Sequence, residues 1–385
     1  MPSAAWGRLN KRSRIVHAPQ MVRVLWWSLL ACVLVWALAI DVLVARDVLG
    51  SFGHHQFDFL TFWSAARAPH SVVYDIPAIT QAQHAVIPVG KSPRPFPYPP
   101  SFLFELWPFG RLPLAAALIT WLVLGVSLYG LAAWRLVGRL WPLALASPAV
   151  AVSAATGQVS FLMAAAVMMG VIWLPARPIL AGVTLGLAAT VKPQVLVMVP
   201  LALFVGRHWR AMGSATAMGA LIGAASLFVH REMWLDWLRS LGEFSRIIRE
   251  AHWDEKISTT PAGMLEAAGL LTPLLGTATL ILGAIAAIAL VVWAFRRNEP
   301  VERYAALCIG YLLVSPYALW YELVLLQPVA IRLVFGRKWA PRAAGLLTFV
   351  FFPKALAVIA MAAAVPAWPK LRVPRSGRAA LETQD

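Results

Sequence analysis

Apolar runs follow one another along nearly the whole chain, broken only by short clusters of Arg, Lys, Gly and Pro. A bilayer crossing takes about 20 such residues, and only helices or closed barrels satisfy their backbone in lipid. The runs at 25–44, 112–134, 140–156, 158–174, 179–191, 193–206, 212–230, 273–294, 302–319, 322–335 and 343–364 therefore predict an all-α polytopic membrane protein. With runs of that length the helix bundle has about 10–12 spans. A water-soluble globule is excluded, because 60% of the 385 residues are hydrophobic and 13% charged, against roughly 25% charged in soluble domains. The formal net charge of +16 reads as topogenic and lipid-facing charge, since cytoplasmic loops collect Lys and Arg, and not as a sign of nucleic-acid binding. Cys32 and Cys308 sit in separate apolar runs, which indicates neither a disulfide framework nor a cysteine metal site.

Arg8, Lys11, Arg12, Arg14 and Arg23 precede the first run and predict a cytoplasmic N-terminus. The segment 46–111 then becomes one long first extracytoplasmic loop. The runs at 179–191 and 193–206 are short for crossings, so Lys192-Pro193 marks either a loop between two spans or a break inside the membrane profile. In 231–260, apolar residues at helical spacing alternate with Asp236, Arg239, Glu243 and Arg246, which predicts an amphipathic insertion on a membrane surface. Counting onward places Lys370, Arg372, Arg375 and Arg378 outside, against the charge rule. Either the last run is a hairpin or an earlier run does not cross. The expected organisation is a single transmembrane domain over 1–370 and a polar tail over 371–385.

Seventeen carboxylates can each be placed, and those at membrane depth, Asp41 and Glu322, are the ones that cost most unless paired or wetted. Asp41 either marks the interface beside Arg46 or has a functional role. Glu322 is either an interfacial acid or faces a cavity shared with Asp58. Asp58 precedes Phe62, Trp63 and Ser64, with Tyr74-Asp75 beyond. A carboxylate beside aromatic rings suits a hydroxylated substrate, because rings stack on sugar faces and the carboxylate can accept a proton. The alternative is a solvated loop acid. Tyr98-Pro99-Pro100 forms a rigid turn back to the membrane. Lys192 either snorkels to headgroups or captures a phosphate, and Gly157-Gln158 either stops a helix or presents an amide to a cavity. His54-His55 has no third ligand at suitable spacing, so no metal site is expected.

Taken together, Asp58 with Phe62-Trp63-Ser64-Ala65-Ala66 and Tyr74-Asp75, then Tyr98-Pro99-Pro100, Gly157-Gln158, Ala181-Gly182-Val183 with Gly186 and Lys192-Pro193, and Ser315-Pro316-Tyr317 resemble glycosyltransferase family 87. The resemblance runs in the same order from about residue 50 to 330. It implies a GT-C-type bundle, typified by polyprenyl-phosphate-mannose-dependent mannosyltransferases, whose acid on the first extracytoplasmic loop is the general base; here that residue is Asp58. It implies transfer of a hexose, namely mannose, from a polyprenyl-phosphate donor to a lipid or glycan acceptor, with inversion and without a nucleotide sugar or other cofactor. The implied location is the bacterial inner (plasma) membrane, with the site on the extracytoplasmic side and 46–111 as the catalytic loop. Glu322 is the second expected catalytic carboxylate. Lys192, Arg94 and Lys91 are the expected donor-phosphate ligands, and Trp63, Tyr74, Tyr98, Gln158 and Tyr321 the expected substrate-binding residues. Relatives often carry His or Asp after the Ser-Pro turn, where this chain has Trp320-Tyr321-Glu322. The rival reading is a transporter or flippase of polyprenyl-linked glycans, using the same residues only to bind.

Overall fold

A computed structural model describes residues 24, 26–44, 46, 58–87, 94–229, 231–250, 258–336, 338–350, 354–364 and 366–367. The regular secondary structure of those residues is all helical, with no β-strand and only an isolated bridge between Ser258 and Leu319. Lys91 lies outside the described residues.

Among the described residues, four helices are long and apolar enough to cross a membrane: Trp26–Val44, Leu114–Leu145, Trp209–Val229 and Pro273–Phe295. The other apolar runs form shorter helices, because Pro and Gly interrupt them. The run predicted at 140–156 divides at Ser147-Pro148 into Trp141–Leu145 and Pro148–Thr156. The run at 193–206 opens with the 3-10 turn Pro193–Leu196 before Val199–Val205. The run at 322–335 begins in the 3-10 segment Trp320–Leu326 and continues as Gln327–Val334. The last run is two helices, Trp339–Val350 and Lys354–Ala364, packed against each other.

Trp209–Val229 leaves Leu221, Leu227 and Phe228 exposed, as a lipid-facing helix must. In Pro300–Val314 every residue from Val301 to Leu313 is buried, which marks an interior helix apolar nearly all round. Small residues set the closest approaches. A Cβ on Gly182 would lie 2.1 Å from the Ala211 carbonyl oxygen, and one on Gly186 2.4 Å from that of Ala215. This small-xxx-small spacing lets Pro178–Val191 lie directly on Trp209–Val229. Gly283 does the same for Pro273–Phe295, where a Cβ would meet the Leu313 carbonyl oxygen at 2.4 Å.

The predicted amphipathic segment is the helix Arg231–Glu250. Met233, Ser240 and Phe244 are buried on its inner face, while Asp236, Arg239, Glu243, Arg246 and Glu250 form exposed ion pairs along the outside. Leu235 and Leu238 stay exposed on a third face.

Candidate active site

An aromatic cluster supports the first element of the site. Phe62 meets Tyr98, Phe102 and Trp121 with ring centroids 5.2, 5.7 and 5.9 Å away, and Phe59 lies 5.6 Å from Trp121. Residues 59–65 of the helix Asp58–Ala65 are all buried, so this short helix is held by packing and not by its length. Asp58 is its first residue, and its carboxylate emerges at the helix start, where the dipole favours negative charge.

Gly157 fixes the partner of that carboxylate. It ends the helix Pro148–Thr156 with φ +66°, a left-handed cap, and a Cβ there would lie 2.6 Å from the Cβ of Phe59. The Trp121 indole donates to its carbonyl at 3.0 Å. Gln158 is thereby placed so that its Nε2 donates to Asp58 Oδ2, while Arg94 Nη1 donates to Oδ1 at 3.3 Å. Burial raises the Asp58 carboxyl above its usual 3.8, against the opposing pull of Arg94, the Gln158 hydrogen bond and Lys192.

The second half of the site forms where two helices break. Pro193 has no N–H and disfavours helical geometry in the residue before it, so Pro178–Val191 stops and Lys192 turns to φ −140°, ψ 77°. Lys192-Pro193 thus separates two helices, which agrees with both sequence readings. Pro300–Val314 likewise stops before Ser315-Pro316. The chain re-enters as the 3-10 segment Trp320–Leu326, held by the Tyr129 hydroxyl donating to Val324 O (3.1 Å) and the Tyr304 hydroxyl to Leu325 O (2.6 Å). Lys192 Nζ donates to Glu322 Oε1 and stands 5.8 Å from the centre of the Tyr321 ring.

These breaks surround a cavity of about 280 Å³. Asp58, Arg94, Gln158, Lys192, Gln194 and Glu322 supply its charged and amide groups. Tyr98, Tyr311, Tyr317 and Tyr321 supply rings and hydroxyls, and Trp237, Leu241 and Phe244 of the amphipathic helix form one wall. Trp237 is tied to the opposite side by its indole, which donates to Pro97 O at 3.1 Å. Burial, helped by Glu322 and Asp58, keeps the Tyr98 hydroxyl protonated and hence a donor. Glu322 Oε2 and Gln158 Oε1 are buried acceptors with no protein partner, in residues that line the cavity.

Asp58, Arg94, Tyr98, Gln158, Lys192, Tyr321 and Glu322, expected from sequence, thus share one cavity. Trp63 and Tyr74 do not line that cavity. The Trp63 indole donates to Leu112 O at 2.9 Å and the Tyr74 hydroxyl to Tyr98 O at 2.8 Å, so backbone carbonyls use the polar groups a substrate would need. Sequence reasoning missed Tyr311 and Trp237. Tyr311 lies one helical turn before Ser315, and Trp237 is on the inner stripe of the amphipathic helix, so periodicity could have indicated both.

The groups lining the cavity suit proton transfer from a hydroxyl and binding of an anion. The cavity combines a carboxyl raised by burial, two cations and several tyrosine rings. A family model for glycosyltransferase family 87 matches residues 96–316, which takes in Tyr98, Gln158, Lys192 and the Ser315-Pro316 turn. No curated protein and no solved structure gives a match.

Proposed function

The chain belongs to glycosyltransferase family 87 and is an integral membrane glycosyltransferase acting on a sugar donor and an acceptor; on that premise we propose that it transfers mannose from a polyprenyl-phosphate donor to a lipid or glycan acceptor on the extracytoplasmic side of a bacterial inner membrane. The observation that carries this reading is the convergence of Asp58, Arg94, Gln158, Lys192 and Glu322 on one cavity. In the proposed reaction the acceptor hydroxyl attacks the anomeric carbon opposite the phosphate and its proton passes to Asp58. The carbon–oxygen bond to phosphate breaks, and polyprenyl phosphate departs with inverted configuration left on the product.

Each polar group has a role in that step. Gln158 holds the Asp58 carboxylate through one oxygen, and the other faces Arg94 over a long 3.3 Å contact that an incoming hydroxyl can replace. Arg94 and Lys192 are the cations for the departing phosphate; an ammonium has three donors, so Lys192 can keep Glu322 while binding an anion. Glu322 holds Lys192 in place and offers its second oxygen to a substrate hydroxyl. With two cations and two carboxylates, these four groups sum to zero before the donor enters. The segment 46–111, which contains Asp58 and Arg94, is the catalytic loop.

The test is transfer in proteoliposomes supplied with labelled polyprenyl-phosphate mannose and a membrane lipid extract. Label in a new lipid or glycan product, lost in Asp58→Asn, supports the proposal. Donor moving across the bilayer with no new glycosidic bond would replace it with a flippase.

A further inference from the structure

Away from the cavity, two short helices end side by side and carry the same pair of residues at the same spacing. Trp63 and Arg67 are four apart at the end of Asp58–Ala65 and the turn that follows it; Trp107 and Arg111 are four apart at the end of Phe102–Gly110. In both, the arginine folds onto the tryptophan: the guanidinium carbons stand 4.6 Å and 4.0 Å from the ring centres. The helix ends touch where Gly110 meets Ala66, so closely that a Cβ on Gly110 would lie 2.8 Å from that of Ala66. Arg67 Nη1 donates to Gly110 O at 2.8 Å and fastens one end to the other.

Between them lies an open hollow of about 500 Å³ lined by Ala66, Arg67, Trp107, Gly110 and Arg111. None of these residues lines the cavity that contains Asp58. The hollow holds two cations and no carboxylate. Stacking fixes each guanidinium plane, so less freedom is lost when an anion binds. Its depth is set by the chain itself: Arg111 is three residues before Leu114, where a candidate membrane span begins, and Trp107 is exposed as interfacial tryptophans are. Further along that span, Ile119 and Val123 are exposed, one turn apart.

We propose that this hollow binds the phosphate of an anionic lipid headgroup, with Arg67 and Arg111 as its ligands and the acyl chains running beside the span that begins at Leu114. The proposal is independent of which sugar the enzyme transfers. An anionic phosphodiester matches two forked guanidiniums, and the position at the start of a span suits a lipid better than a dissolved ion.

The experiment uses full-length protein in detergent, titrated with dihexanoyl-phosphatidylglycerol, dihexanoyl-phosphatidylcholine and inorganic phosphate, with bound ligand counted by native mass spectrometry. The expected result is that phosphatidylglycerol binds at least about tenfold more tightly than phosphatidylcholine, and that Arg111→Gln weakens it about tenfold. Trp107→Leu, which releases the Arg111 plane without removing its charge, should weaken it several-fold and serves if Arg111→Gln does not fold. Unchanged phosphatidylglycerol binding in these variants would overturn the site. Displacement by inorganic phosphate at equal concentration would overturn the lipid and leave a free anion as the ligand.

Discussion

Lys192 and Glu322, 130 residues apart in the chain, close into an ion pair with 8% and 1% of their side chains exposed. Each charge is tolerated at that depth because the other is there. Removing one partner of a buried pair typically costs about 3–5 kcal/mol, whereas replacing both with apolar side chains of similar volume is often neutral.

Lys192→Met and Glu322→Leu should therefore each unfold the protein at markedly lower temperature in detergent, and the double variant should recover most of the loss. Sugar transfer should stay absent in all three. Thermal denaturation followed by size-exclusion recovery measures the first effect, and a proteoliposome assay the second. A double variant no more stable than the singles would show that the pair is not the stabilising unit.

Asp58→Asn should lower transfer by about 10²–10⁴, the usual loss for a general base, with little change in melting temperature. Near-normal turnover in the folded variant would remove Asp58 from the reaction.

The pH dependence follows from the direction of the Asp58 shift. Only the ionised carboxylate accepts a proton, so the rate should fall as pH drops through a value above the ordinary 3.8. Arg94 pulls that value down, so Arg94→Gln should move the acid limb to higher pH as well as weaken donor binding. A pH–rate profile of kcat on both proteins checks this, and a shift toward lower pH would contradict it.

Gly157→Ala should disturb catalysis from outside the cavity. The left-handed backbone costs alanine about 1–2 kcal/mol, and the new methyl would press on Phe59, next to Asp58. A displacement near 1 Å can cost roughly a hundredfold in rate, so kcat should fall far more than KM rises.

Trp237→Ala should act in the opposite way. It removes an apolar wall and the bond to Pro97 O without touching the charged groups, so KM should rise several-fold with kcat nearly kept. Steady-state kinetics at varied donor concentration separates the two parameters.

Periodicity and punctuation made the helices and their breaks legible, including the stop at Lys192-Pro193 and the amphipathic helix Arg231–Glu250. Composition could not show that many apolar runs are interior half-length helices, because a buried helix and a lipid-facing one read alike until packing is known. Order along the chain brought Asp58, Gln158, Lys192 and Glu322 to attention but not their pairing. Whether Lys192 meets lipid or Glu322 depends on contacts 130 residues apart. For a related reason the sequence does not show that Trp63 and Tyr74 lie off the cavity, with their donors on carbonyls of the same chain.

The short helix Pro178–Val191 has one more consequence. Its fourteen residues, at about 1.5 Å each, reach roughly 21 Å, against about 30 Å of hydrocarbon. A helix of that length starting at one surface would end about 9 Å beneath the other, and Lys192 directly follows its last residue. Under the proposed function, reactants carried on lipid tails would reach such a depth by diffusing sideways, never entering bulk water. Their supply is then a density per unit area of bilayer, so diluting the same reactants with inert lipid slows turnover even when their amount per volume of sample is unchanged.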